Sequence, residues 1–485
     1  MLAAVDLGSN SFRLHIATHD SQGIRILKTA REPIRLGAGL DSDGNLTPQA
    51  MQTALACLAR FGEILQATPL RAVRVVATNT IRIARNSKKF LPLAEKAIGY
   101  PIEIISGEEE GRLIYMGVAV HLGNESERRL VVDIGGGSTE VALGQGPNIE
   151  RVESFSIGTV RICSSFFGND RISQESFDAA VLSARGQFED GVAGFHPDYW
   201  QLAYGSSGTM RTLADVIEKN ALGDGKLSAK SLRALRDRLI EFGRISRIEL
   251  QGMRPERIPV ILGGLPILLG LFEELGIRSL EKVDAGLRMG VLWDLHMRDS
   301  QKDRRNQSIK EFMRRFGVDE ARANKAASNS LALFTQLKYD NQQLDKLLDW
   351  SARLHEIGLA VSHTGFHKHG AYLVEHADLA GFTTTEQQIM STLIMAHKGN
   401  LRKVADTLAN LDFAKTVVAI RLGVIFMHAK LNPVTEKIVL KVKARIELEI
   451  SKKTMAAHPT LSYWLSKEQS MWEEIGAQFN IRELS

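Results

Sequence analysis

The sequence predicts an α/β protein built from two related halves, followed by a mostly α-helical region. Three observations predict it. Over the first three hundred residues, short β-branched runs alternate with amphipathic helical stretches. The stretch Leu2-Ala-Ala-Val-Asp6-Leu-Gly8-Ser9-Asn10-Ser11 returns in degenerate form as Leu130-Val-Val-Asp133-Ile-Gly135-Gly136-Gly137-Ser138. After Asp299 the strand signals give way to helical periodicity.

Taken in order, strands are expected over Leu2–Asp6, Val73–Ala77, Ile102–Ile105, Leu130–Asp133, Gln201–Gly205 and Val260–Leu262, each delivering a turn to the lip of a site. Helices are expected between them, over Pro48–Leu65 and Glu109–Val120. In the repeat, each apolar strand delivers an Asp and then a Gly/Ser turn, so two halves facing each other would bring both turns together. The polar run Ser300–Gln307 reads as a linker or an exposed helix start. Helices follow over Ala321–Leu337, Leu344–Ile357, Thr385–Ala396 and Phe413–Leu431. Alternation returns over Ile438–Ile450, which reads as a hairpin-like appendage.

Composition narrows the function classes. A chain of 485 residues is too long for one core, and 44% hydrophobic with 24% charged residues is ordinary for a globular protein. Two cysteines, Cys57 and Cys163, exclude a disulfide framework and a thiolate metal site. The chain enters a strand at Leu2 without a charged leader, so no signal peptide and a reducing cytoplasm are expected. No membrane span is expected: Val417–Met427 carries Arg421 in its middle and follows Lys415, which suits a buried helix. Residues 301–485 hold 26 Lys and Arg against 20 Asp and Glu, while the rest holds 35 against 36. That excess fits either a solubilising helical surface or contact with a long anion. No basic run is interleaved with aromatics, so nucleic acid is not an expected partner.

The motifs carry the chemistry. In Asp6-Leu-Gly8-Ser9-Asn10-Ser11, glycine permits close approach of a phosphate, the serines donate hydroxyls and Asp6 can hold a hydrated Mg²⁺. An ordinary turn capped by Asp reads equally well. Asp133-Ile-Gly135-Gly136-Gly137-Ser138-Thr139-Glu140 is stronger, because three glycines cost stability and phosphate approach is a reason to keep them. In Ser106-Gly-Glu108-Glu109-Glu110-Gly111-Arg112, Ser106 and Glu109 fit a capping box, and one of the three carboxylates facing the cleft could take a proton from water. Spacing does not say which. Arg82, after Thr78-Asn79-Thr80-Ile81, offers a bidentate phosphate clamp or a plain salt bridge. Gly205-Ser-Ser-Gly208-Thr209 and Gly263-Gly264 read as Gly-rich turns at strand ends, and Asp284-Ala-Gly286-Leu-Arg288 adds an Asp and an Arg. The histidines His355, His363, His367, His369 and His376 lack a ligand spacing and read as surface or polyanion-contacting groups, with Lys368, Arg402 and Lys403 as helpers.

In order and spacing, these motifs resemble those of the exopolyphosphatase/guanosine pentaphosphate phosphatase (Ppx/GppA) family over residues 1–295. The resemblance implies an actin-like, sugar-kinase-like fold (the ASKHA class) of duplicated domains, 1–122 and 123–299. It implies an α-helical HD-like domain over 308–435 and a small α/β appendage over 436–485. Carried over residue by residue, it implies Glu110, Asp133 and Arg82 as catalytic groups, and Asp6 and Asp133 near Mg²⁺. It implies phosphate binding by Gly8, Ser9, Asn10, Ser11, Gly135, Gly136, Gly137, Ser138, Gly208 and Thr209. In the helical region, His355-Glu356 stands where metal-dependent HD hydrolases carry His-Asp. A polyphosphate path along His367, Lys368, His369, Arg402 and Lys403 therefore fits better than a second metal centre. The implied function is Mg²⁺-dependent, processive exopolyphosphatase activity of a homodimer. The alternatives are hydrolysis of the 5′-phosphate of guanosine pentaphosphate, a sugar-kinase-class phosphotransferase, and a non-enzymatic scaffold.

Overall fold

The segment Leu2–Leu7 (β1) is apolar except for Asp6 and buried along its whole length, as a central strand must be. The computed structural model describes residues 1–20, 23–298, 303–339, 341 and 343–484. The chain forms two compact units, Met1–Lys302 and Asp303–Ser485.

In the first unit, β1 pairs antiparallel with β2 (Phe12–Asp20), which pairs antiparallel with β3 (Gly23–Glu32). On its other side β1 runs parallel to β4 (Ala72–Ala77), and β4 parallel to β5 (Ile102–Ile104). A second sheet repeats this strand for strand. There β6 (Arg128–Ile134) pairs antiparallel with β7 (Thr139–Gln145), and β7 with β8 (Asn148–Phe155). On the far side β6 runs parallel to β9 (Leu202–Ser206). The short β10 (Leu227–Ser228) closes the edge beyond β11 (Ser279–Lys282), which is parallel to β9. The orders β3-β2-β1-β4-β5 and β8-β7-β6-β9-β11 are the duplicated arrangement of the actin-like fold.

Two expectations fail here. Val260–Leu262 is not a strand, and Gly263-Gly264 is not a turn: both lie inside the helix Ile258–Leu275. That helix is apolar all round, so the sequence shows no period to distinguish it from a buried strand. The two glycines are there for packing, since a Cβ on Gly263 would sit 2.0 Å from the Thr159 carbonyl oxygen and one on Gly264 2.3 Å from Thr209 Cγ2. Contrary to the expected absence of such a run, the 21 residues of Pro255–Leu275 reach spanning length, and an 18-residue stretch within them has a mean hydropathy of 1.8. That stretch belongs to the core helix of the second half and is 78% buried within the fold.

In the second unit, helices Glu320–Phe334, Leu344–Arg353 and Thr384–Ala396 pack around Leu411–His428, which contains the expected buried segment. Part of the polar run at Ser300–Gln307, through residue 302, lies outside the described residues; from there Asp303 caps the helix Arg304–Arg315 by accepting from the Arg305 N–H at 3.0 Å. The expected hairpin is β12 (Val439–Val442) and β13 (Ile446–Ser451), extended by a parallel β14 (Phe479–Leu484). A buried pair, Arg421 Nε to Glu468 Oε1 at 2.6 Å, ties the central helix to the helix Pro459–Glu473.

Candidate active site

The two Gly/Ser turns meet. A Cβ on Gly136 would lie 2.9 Å from Asn10 Nδ2 and from Ser9 Cβ, and one on Gly137 only 2.2 Å from Asn79 Oδ1. Glycine is thus required because turn packs on turn and both pack on the segment after β4. Gly135 closes its own turn, its N–H donating to the Ser138 carbonyl at 2.9 Å. Within the first half, Thr80 Oγ1 donates to Ser9 Oγ at 2.7 Å and Arg13 Nε to Ser11 Oγ at 3.1 Å. Each serine is used as an acceptor there and keeps its own O–H to give to a ligand.

A cavity of about 200 Å³ opens between the turns. Gly8–Ser11, Gly135–Ser138, Gly208, Thr209, Asp6, Asp133 and Glu110 all line it. The structure settles which glutamate faces the cavity. Ser106 caps the helix Gly107–Leu122 by accepting from the Glu109 N–H at 3.1 Å, but the Glu109 carboxylate turns to Arg112, at 2.6 and 2.8 Å. Glu110 is left facing the cavity. Arg82 does not line it: its Nη1 donates to the Ile105 carbonyl at 2.6 Å and lies 3.6 Å from Glu110 Oε2, behind the glutamate. The Thr209 hydroxyl is engaged too, donating to the Ile134 carbonyl at 2.7 Å.

Acidic groups crowd this site. Burial pushes the Glu110 carboxyl well above the usual range; Glu140, Asp6 and Asp133 push the same way, against Arg82. Burial and then Asp133 push Glu140 up to about 8. Burial also raises Asp133 to about 6, with Asp6 adding to it against Ser206 and Arg13. Glu110 Oε2 is buried without a hydrogen-bond partner. An orphaned carboxylate oxygen among three other carboxylates is an environment that fits a hard divalent cation. Among the described residues no three acidic, His or Cys groups form a ready-made ion cage.

The sequence reading gave no role to most of the basic groups. Arg13, Arg31, Arg211, Arg257 and Arg288 line the same cavity. Burial and the neighbouring Arg31 and Arg13 lower Arg257 to about 10, and burial with Arg13 lowers Arg288 to about 10. Guanidiniums packed closely enough to disfavour one another's charge would be relieved by an anion. Arg288 Nη1 contacts Asp6 Oδ2 at 3.2 Å, and its Nε donates to His15 Nε2 at 3.0 Å. Burial, Arg288 and Arg13 hold that histidine neutral, at about 3. Isolated arginines such as Arg31 and Arg257 sit in no motif; only folding gathers them.

In the second unit the expected surface histidine His355 is buried, 1% exposed, with Nδ1 against the Ala352 carbonyl at 2.7 Å. It follows a helix whose inner face the apolar core requires. His367 gathers cations: burial, then Lys403, Lys368 and Lys398, lower it to about 4. His369 lies two positions further along the helix Phe366–His376, on another face, and Arg402 is drawn to Glu474 at 3.5 Å.

Comparison with known proteins agrees with this geometry. The model of the Ppx/GppA phosphatase family matches residues 15–299, and that of Ppx/GppA phosphatase domain III matches residues 304–469. The Aquifex aeolicus PPX-GPPA enzyme is 28% identical, with a TM-score of 0.51 over 60% of this chain and 98% of its own. An exopolyphosphatase from Cytophaga hutchinsonii is 25% identical, with a TM-score of 0.53 over 61% of this chain and 97% of its own. A carboxylate-lined cavity lies between duplicated actin-like halves, and the two family models together match most of the chain: the chain belongs to the Ppx/GppA phosphatase family and is a phosphoanhydride hydrolase.

Proposed function

We propose that this hydrolase is an exopolyphosphatase that removes the terminal phosphate of inorganic polyphosphate and releases orthophosphate one unit at a time. The lining of the cavity carries the reading. Carboxylates and five arginines share it, and among the described lining residues there is no Phe, Tyr or Trp. A linear polyanion needs charges and donors, whereas a purine base is usually held on a flat apolar face. The cations gathered around His367 give the second unit a surface of the matching sign.

The terminal phosphates take hydroxyls from Ser9 and Ser11, N–H groups from the two turns and guanidiniums from the lining. Asp6 and Asp133 would hold Mg²⁺, which supplies positive charge against the phosphoryl oxygens. Glu110 accepts the proton of the water whose oxygen attacks phosphorus, while the bond to the bridging oxygen breaks and the shortened chain leaves. The cavity makes Glu110 a stronger base than a free carboxylate, and Arg82, 3.6 Å behind it, holds it in place.

Orthophosphate release is measured from long-chain polyphosphate and from guanosine pentaphosphate, with Mg²⁺ and with EDTA. The expected result is Mg²⁺-dependent release with polyphosphate preferred. Preference for the nucleotide would replace the substrate and keep the site, and release that survives EDTA would remove the cation.

A further inference from the structure

The helix that carries Glu110 is held by an ionic cluster on its other side. Arg112 grips Glu109 with two bonds, and its Nη2 reaches Asp294 Oδ1 at 2.7 Å on the helix Leu287–Arg298. The other oxygen of Asp294 accepts from Arg74 Nη1 at 2.8 Å and from Arg298 Nε at 2.9 Å. Arg74 Nε continues to Glu103 Oε2 at 2.8 Å. Three guanidiniums balance three carboxylates. Arg74, Glu109, Arg112 and Asp294 are each under 10% exposed. Burial alone would raise the Asp294 carboxyl, but Arg112, Arg74 and Arg298 reverse this and hold it well below the usual range.

Cohesion does not explain such a cluster, because buried ion pairs often hold a fold no better than apolar residues of the same size. Position does. Arg74 lies on β4, which runs on into Thr78 and Arg82; Glu103 lies on β5, which leads to the Ile105 carbonyl that anchors Arg82. The helix of Asp294 begins beside Arg288, the partner of Asp6. β4 and the two helices thus each hand a group to the cavity, Thr78, Glu110 and Arg288, and β5 leads to the anchor of the Arg82 that stands behind Glu110. The two helices also cross at glycines. A Cβ on Gly117 would meet the Gly286 carbonyl oxygen at 2.2 Å, and one on Gly290 the Leu113 carbonyl oxygen at 1.8 Å. At this crossing backbone meets backbone, and the Leu113, Val291 and Leu292 side chains clustered beside it make no directional bond that would fix the rotation of the helix. A forked, directional ion pair can fix it.

We propose that Arg112, through Glu109 and Asp294, is a positioning residue that sets the rotation of this helix and so aims the Glu110 carboxylate at the attacking water. The inference rests on the reading of Glu110 as the general base. Arg112→Lys keeps the charge and loses the fork. In the full-length chain it should lower kcat on polyphosphate roughly tenfold, since small misplacements of a reacting group are costly, with KM changed less than about twofold. Asp294→Asn tests the same link from the other helix and replaces Arg112→Lys if that variant does not fold. The deciding measurement combines either variant with Glu110→Gln. With no base left to misplace, the second substitution should cause no further fall in kcat. A loss that multiplies through in the double variant, or unchanged kcat in both single variants, overturns the inference. Turnover at the wild-type level in Glu110→Gln alone would instead overturn the assignment of the base.

Discussion

The two halves of the first unit share a strand order and a turn, yet they place their charges in exchanged positions. Asp6 on β1 stands opposite Arg13 on β2, while its counterpart Asp133 on β6 stands opposite Glu140 on β7. Directly opposed residues of an antiparallel pair share a face, so the first half sets unlike charges side by side and the second like charges. The helices reverse this. The sixth residue beyond β5 is Glu110, and the sixth beyond β11 is Arg288. At these three corresponding positions each half places two carboxylates and one arginine, in a different order. Duplication accounts for the cleft, and the broken symmetry sets Glu110 on one side of it and Arg288 on the other.

Breaking the helix-borne difference should have the largest effect. Glu110→Gln leaves shape and packing in place and removes the proton acceptor, so kcat should fall at least a hundredfold, the usual loss for a general base. Single-turnover orthophosphate release, free of product dissociation, is the measurement to make. Its counterpart Arg288→Met removes a charge-assisted contact to Asp6 and the donor to His15. Such contacts contribute about 1.5–3 kcal/mol, so kcat/KM should fall roughly tenfold or more, less than for Glu110. If the two losses were reversed, the second half would be the one that activates water.

The comparison also separates what the sequence could show from what it could not. Both Asp-Gly-Ser turns were legible because a strand, an acid and glycines recur in order, and the internal repeat follows from them. The choice among Glu108, Glu109 and Glu110 was not legible in their spacing, and only the family resemblance pointed to Glu110, since adjacent residues of a helix start differ only in the direction they face, and Arg112 decides that. Glu140 stood inside the second motif, but its chemistry comes from Asp133 across the ladder, a pairing invisible before β7 is placed. The strand β3 was missed because its residues are mostly exposed or half-buried and charged, with little apolar alternation. The helix Ile258–Leu275 was misread for the opposite reason, an apolar run with no polar face.

The strand-borne difference gives the smallest effect, in stability. Glu140 moves from an ordinary 4.5 to about 8 on folding, first through burial and then through Asp133. Below about pH 4.5 both folded and unfolded chains carry the proton, and the fold keeps its full stability. Between that value and about pH 8 the unfolded chain ionises while the folded one must hold its proton or pay for a buried charge, so stability falls as pH rises. In EDTA, the Tm should therefore drop by several degrees between pH 5 and pH 8.5, and the slope should flatten in Glu140→Gln. Added Mg²⁺ should flatten the wild-type slope as well, because a cation among the carboxylates favours their ionised forms. If Glu140→Gln left the slope unchanged, the like-charged pair would not be the source, and the two cross-strand pairs would be equivalent in the folded protein despite their opposite signs.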